Sequence, residues 1–84
     1  MNVYEVGAEL PVAENNLSEG YRLLLSGKKA DAIKSLDRAL KIYDKLFEEG
    51  MKDAKSAYLF EKEIREGIEK AGALLNSMSL KKAA

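Results

Sequence analysis

The chain has 84 residues, 46% apolar and 33% charged, with 14 basic and 14 acidic side chains and a formal net charge of zero. That length holds one domain, close to the size at which a single apolar core is only just sufficient. Cys and His are both absent, which excludes disulfide staples, thiolate and imidazole metal sites, and the commonest general base.

The charge is unevenly spread. Residues 1–20 carry Glu5, Glu9, Glu14 and Glu19 and no base, while every Lys and Arg follows. The resulting dipole is modest and far short of a nucleic-acid footprint, so no nucleic-acid partner is expected. No apolar run approaches the ~18 residues of a membrane span, so no membrane insertion is expected. Glu5 and Glu9 interrupt the N-terminal stretch, which argues against a signal peptide and makes the cytoplasm the expected compartment.

Residues 1–9 are predicted as a flexible N-terminal segment. The first helix is predicted over 11–26. Leu10, Ala13, Leu17, Gly20 and Leu24 recur at intervals of three and four, and Pro11 suits a first helical turn. Ser26–Gly27 ends it, with Gly supplying a left-handed turn.

The second helix is predicted over 29–49, ending before Gly50. Its stripe is Ile33, Leu36, Leu40, Tyr43 and Phe47, widened by a parallel line of Ala32, Ala39 and Leu46 with Ile42. A stripe this broad fits a middle helix that touches both others. Asp37 and Lys41 stand at a favourable i, i+4 spacing on the outer face.

The third helix is predicted over 53–78, with Asp53 as its cap. Its stripe is Ala57, Phe60, Ile64, Gly67, Ala71, Leu74 and Met78, with Glu61–Arg65 and Glu66–Lys70 as outer pairs. Residues 79–84 are predicted as a flexible C-terminal tail. The expected fold is therefore all-α: an antiparallel three-helix bundle over residues 10–78.

Small residues mark the expected crossings, at Gly20, Gly27, Ala32, Ala39 and Ala71. The segment Gly20–Leu40, read as G-x6-G-x4-A-I-x2-L-x2-A-L, resembles one tetratricopeptide-repeat hairpin. It departs from that family at Asn16 and Asp44, and the pattern does not return one repeat later, although the family stacks about three copies.

The chain as a whole, over residues 13–78, resembles the microtubule-interacting-and-trafficking (MIT) domain, a repeat hairpin extended by a longer third helix. Gly27 and Ala32 match the opening of that family's second helix. Glu66–Leu74 (EGIEKAGAL) is similar to its third-helix motif E-x-L-[DE]-[RK]-A-x2-L, with Gly67 departing where an aromatic residue is usual. The resemblance implies a partner: the C-terminal tail motifs of ESCRT-III-like filament proteins. It also implies that Ile68 is an apolar contact and that Glu69 receives a basic residue of the ligand.

The residues themselves point to binding and not to catalysis. The carboxylates fall on solvated helix faces, no phosphate-binding glycine loop is present, and neither a catalytic residue nor a cofactor is expected. Ile68 and Leu75 flank the third stripe, and Gly67 and Gly72 remove bulk beside them. Each Gly costs the helix about 1 kcal/mol relative to Ala, which calls for a tight crossing or room for another chain.

The expected site is a groove between helices 2 and 3, formed by Ile68, Glu69, Gly72 and Leu75 on one side and Leu40, Tyr43 and Phe47 on the other. An amphipathic helix with anchors at i, i+3, i+4 and i+7 would fill it. The alternatives are self-association through the Ile68/Leu75 flank and, further off, a small nucleic-acid-binding protein.

Overall fold

A computed structural model describes the backbone of residues 1–83 and the side chains of residues 1–78. The described residues form three helices and no strand: α1 over Val3–Leu25, α2 over Lys29–Lys45 and α3 over Ala54–Ala83. They lie side by side in a rod of 42 × 20 × 15 Å. Helix α2 runs antiparallel to both neighbours, since Gly20 meets Leu36, Val6 meets Gly50 and Tyr43 meets Gly67. This is the three-helix bundle expected from the apolar periodicity.

The first helix begins eight residues earlier than its stripe suggested. Asn2 caps it: its side chain accepts from the Glu5 N–H at 3.0 Å while the Glu5 carboxylate accepts from the Asn2 N–H at 3.3 Å, a reciprocal capping box. Residues 3–9, expected to be a flexible segment, are helical. Val6 is fully buried and Leu10 is 3% exposed. Pro11 sits inside α1 and not in its first turn. Burial on either side of the proline outweighs its missing hydrogen bond.

The turn into α2 is as expected. Gly27 adopts φ 81°, the Gly27 N–H donates to the Leu24 carbonyl at 3.1 Å and the Lys28 N–H donates to the Leu23 carbonyl at 2.9 Å. That pattern is a Schellman close, which needs a residue free to take the left-handed conformation.

In α2 the core draws on both predicted lines, Leu36 and Tyr43 from the main stripe and Ala32, Ala39 and Leu46 from the parallel one. Ala32, Leu36, Ala39, Tyr43 and Leu46 are buried, whereas Ile33 is 39% exposed and Leu40 and Phe47 are half-buried. Helix α2 then passes into a single π turn over Leu46–Gly50. Its wider step brings Gly50 against Val6, where an added Cβ would lie 2.8 Å from Val6 Cγ2.

Asp53 caps α3 as expected, accepting from the Lys55 N–H at 3.1 Å and from the buried Ser56 hydroxyl at 3.3 Å. Helix α3 continues past residue 78 to Ala83. The fraying expected of 79–84 falls on side chains outside the described residues. Of the three outer pairs expected, Asp37–Lys41 at 3.0 Å and Glu61–Arg65 at 3.1 Å form and Glu66–Lys70 does not; as exposed pairs each adds only a few tenths of a kcal/mol. No helix among the described residues is long and apolar enough to cross a membrane.

Candidate functional site

The face between α2 and α3 does bring part of the expected site together. Phe47 in the π turn that follows α2 and Ile68 on α3 are half-buried in one open trough, with Asp44, Arg65 and Glu69 around them. The Arg65 guanidinium lies over the Phe47 ring, 5.1 Å from its centroid, and Glu61 fixes that guanidinium from the next turn with bonds of 3.2 and 3.1 Å. The cation–π contact and the Glu61 bonds hold the ring and the charge as one unit. An apolar floor rimmed by both signs of charge suits an amphipathic segment.

The other expected members are placed elsewhere. Leu40 and Leu75 are half-buried but do not line this trough. Gly72 is open: a Cβ built there meets nothing within 4 Å, so no crossing requires it.

Tyr43 is not a wall of the trough. It is 2% exposed and belongs to the core cluster with Val6, Leu10, Ala13, Leu46 and Ile64. Its ring passes beneath Gly67, where a Cβ would stand 2.2 Å from Tyr43 Cζ and 2.3 Å from Cε1. Gly67 is thus a tight crossing.

By this route Tyr43 reaches the opposite seam, between α1 and α3. There it lines a recess of about 230 Å³ with Glu14 and Ser18 from α1 and Glu63, Glu66 and Lys70 from α3. Burial, followed by the charges of Glu14 and Glu63, pushes the Tyr43 phenol up to about 12. Next to the recess, and sharing Leu17, Ser18 and Lys70 with it, lies an apolar slot completed by Tyr21, Ala73 and Leu74. The sequence reading gives Leu17 and Leu74 as stripe members and Glu66–Leu74 as a motif, and brings none of these residues together as a site. The spacing Glu14–Leu17–Ser18–Tyr21 on α1 and Glu63–Glu66–Lys70–Ala73 on α3 puts each set on one helical face, the signal that could have found them.

No group of three carboxylates among the described residues lies close enough to hold a metal ion. No protein-family model, curated protein or solved structure matches the chain.

Proposed function

We propose that this chain is a non-catalytic protein–protein interaction module, MIT-like in kind, that docks a short amphipathic helix or tail peptide in the trough between α2 and α3. The observation that carries the reading is the pairing of Phe47 with Ile68. Two large apolar side chains on different helices remain half-buried at an open surface, where burial by a partner would remove further apolar area from water. Arg65 and Glu69 beside them supply charges of opposite sign to fix register. Glu69 takes a basic residue of the ligand, in keeping with the resemblance of Glu66–Leu74 to the MIT motif. The module works in the cytoplasm, where it recruits an attached or associated protein to filament tails.

Titrating ESCRT-III-type tail peptides against the domain, followed by fluorescence anisotropy, tests the reading. Affinity of about micromolar is expected, because the ligand must order as it binds. Ile68→Asp should abolish it, and Glu69→Lys, at an exposed side chain, should weaken it with the fold intact. Binding unchanged by Ile68→Asp, or no binding at all, rejects the proposal.

A second reading, self-association, draws support from the large apolar residues left at the surface, Tyr58 at 88%, Tyr4 at 83% and Leu25 at 71% exposed. Sedimentation velocity separates the two. A monomer at micromolar concentration favours the docking module, and a concentration-dependent dimer favours self-association.

A further inference from the structure

Of the three helices, α1 and α3 share the smallest interface, and their seam keeps apolar surface in water. Leu17 and Leu74 are half-buried in an open slot with Tyr21, Ala73 and Ser18 beside them. One turn beyond Tyr21, the Leu25 side chain is 71% exposed. Ser18 and Leu25 stand seven positions apart, on one line of α1. The face thus carries an apolar recess and, two turns away, a projecting apolar side chain that would fill it. A two-fold axis between them places the projection of each copy in the recess of the other, the requirement of an isologous pair.

Charge selects the same axis. In an antiparallel pair with Leu25 of one copy at the level of Ser18 of the other, the midpoint lies between Tyr21 and Arg22. Glu14, about 11 Å before that midpoint along α1, is then carried to the Gly27 turn of the second copy, where Lys28 and Lys29 stand. Glu14, Lys28 and Lys29 are all exposed, and the axis repeats the opposed charges on both sides. A parallel pair would set Glu14 on Glu14 and Lys28 on Lys28.

The area sets the strength. From Glu14 to Gly27 the face runs about 20 Å at ~1.5 Å per residue, on a rod 20 × 15 Å across. That footprint is roughly half of the ~800 Å² that each partner gives to a stable interface, which places the pair in the weak class, with a Kd of about 10⁻⁴ M.

We propose that two copies of this chain pair antiparallel across the α1/α3 seam, Leu25 of each entering the Leu17/Ala73/Leu74 slot of the other and Glu14 of each meeting Lys28 and Lys29. The chain is monomeric at micromolar concentration and pairs where a shared scaffold holds copies at millimolar effective concentration. The α2/α3 trough stays open on both copies, so the pairing stands whether or not the trough binds tails.

Amide NMR and sedimentation equilibrium on the labelled chain, from micromolar to millimolar concentration, test the pairing. The amides of Ser18, Leu25 and Ala73 should shift with concentration toward a dimer while those of Phe47 and Ile68 stay still. Leu25→Asp should keep the helicity and weaken pairing about ten-fold or more, since a charge replaces a buried apolar contact. Glu14→Lys, and Lys28→Glu with Lys29→Glu, should each weaken it roughly five-fold, the scale of exposed ion pairs. All three changes in one chain should restore it. A chain still monomeric at millimolar concentration, shifts centred elsewhere, assembly beyond a dimer, Leu25→Asp without effect, or charge reversals that add instead of compensating would each overturn the proposal.

Discussion

A methyl group at position 67 would stand 2.2 Å from Tyr43 Cζ, so the aromatic ring and the missing side chain fill one volume between them. Gly67→Ala gains about 1 kcal/mol of helix propensity but overpacks a buried ring, and the latter wins, for a net loss of about 2 kcal/mol. Gly72→Ala meets open space and should gain about 1 kcal/mol. Urea denaturation of both variants decides this, and a loss at position 72 would show a crossing there after all. Tyr43 also makes stability depend on pH. An unfolded phenol titrates near ~10, whereas this one is held at about 12, so folding favours the protonated form. That contribution is complete below the unfolded value and disappears as pH rises toward 12. Relative to Tyr43→Phe, the parent chain should lose stability from pH ~10 upward; parallel pH curves would remove the assignment.

Among the elements, α1 shows what periodicity reads well and what it misreads. Of its stripe, Leu10, Ala13 and Gly20 are buried and Leu17 and Leu24 half-buried, but proline's preference for a first turn misplaces the start of α1 at Pro11. The contrary signal was local and legible: Asn2 followed three residues later by Glu5 is a capping-box pattern. An interior proline costs ~3 kcal/mol, and Pro11 is exposed, so its ring repays little of that through packing. Pro11→Ala should therefore raise stability by about 1–3 kcal/mol in thermal melts, and an unchanged melt would mean that α1 bends to accommodate the ring. In α2 two candidate stripes lie side by side, and the buried face takes Leu36 and Tyr43 from one and Ala32, Ala39 and Leu46 from the other. Helices approach closest where side chains are short: Gly20 leaves Leu36 in contact with the α1 backbone, and Ala32 and Ala39 are fully buried. Ranking residues by hydrophobicity favours Ile33, whereas close approach favours Ala32, and close approach decides.

For the molecule as a whole, Leu10, Tyr43 and Ile64 bring all three helices together in one buried cluster, and Ala32, Leu36 and Ala71 extend the buried core beyond it. Leu36 and Ile64 are fully buried. Truncating either to Ala should cost ~2–5 kcal/mol, a large part of the ~5–15 kcal/mol that a small domain possesses. Neutral melts for both would reject this core. The site was legible only in part. Helical register brings Phe47 and Ile68 to one face, whereas Glu69 enters only through the resemblance of Glu66–Leu74 to the MIT motif. Tyr43 could not be placed in this way, because its path to the far seam depends on Gly67 facing it across a crossing between helices distant in sequence.

Assembly order follows from the uneven sharing of contacts. Helices α1 and α2 share the most extensive interface, across a turn of three residues, whereas α1 meets α3 only through partners as far apart in the chain as Gly7 and Phe60. Closing the longer loop costs more entropy before any contact repays it, so the hairpin should be largely formed at the rate-limiting barrier and α3 should dock after it. In stopped-flow experiments Leu36→Ala should then mainly slow folding, and Ile64→Ala should mainly hasten unfolding. Equal partition for the two would mean that all three rods condense in one step.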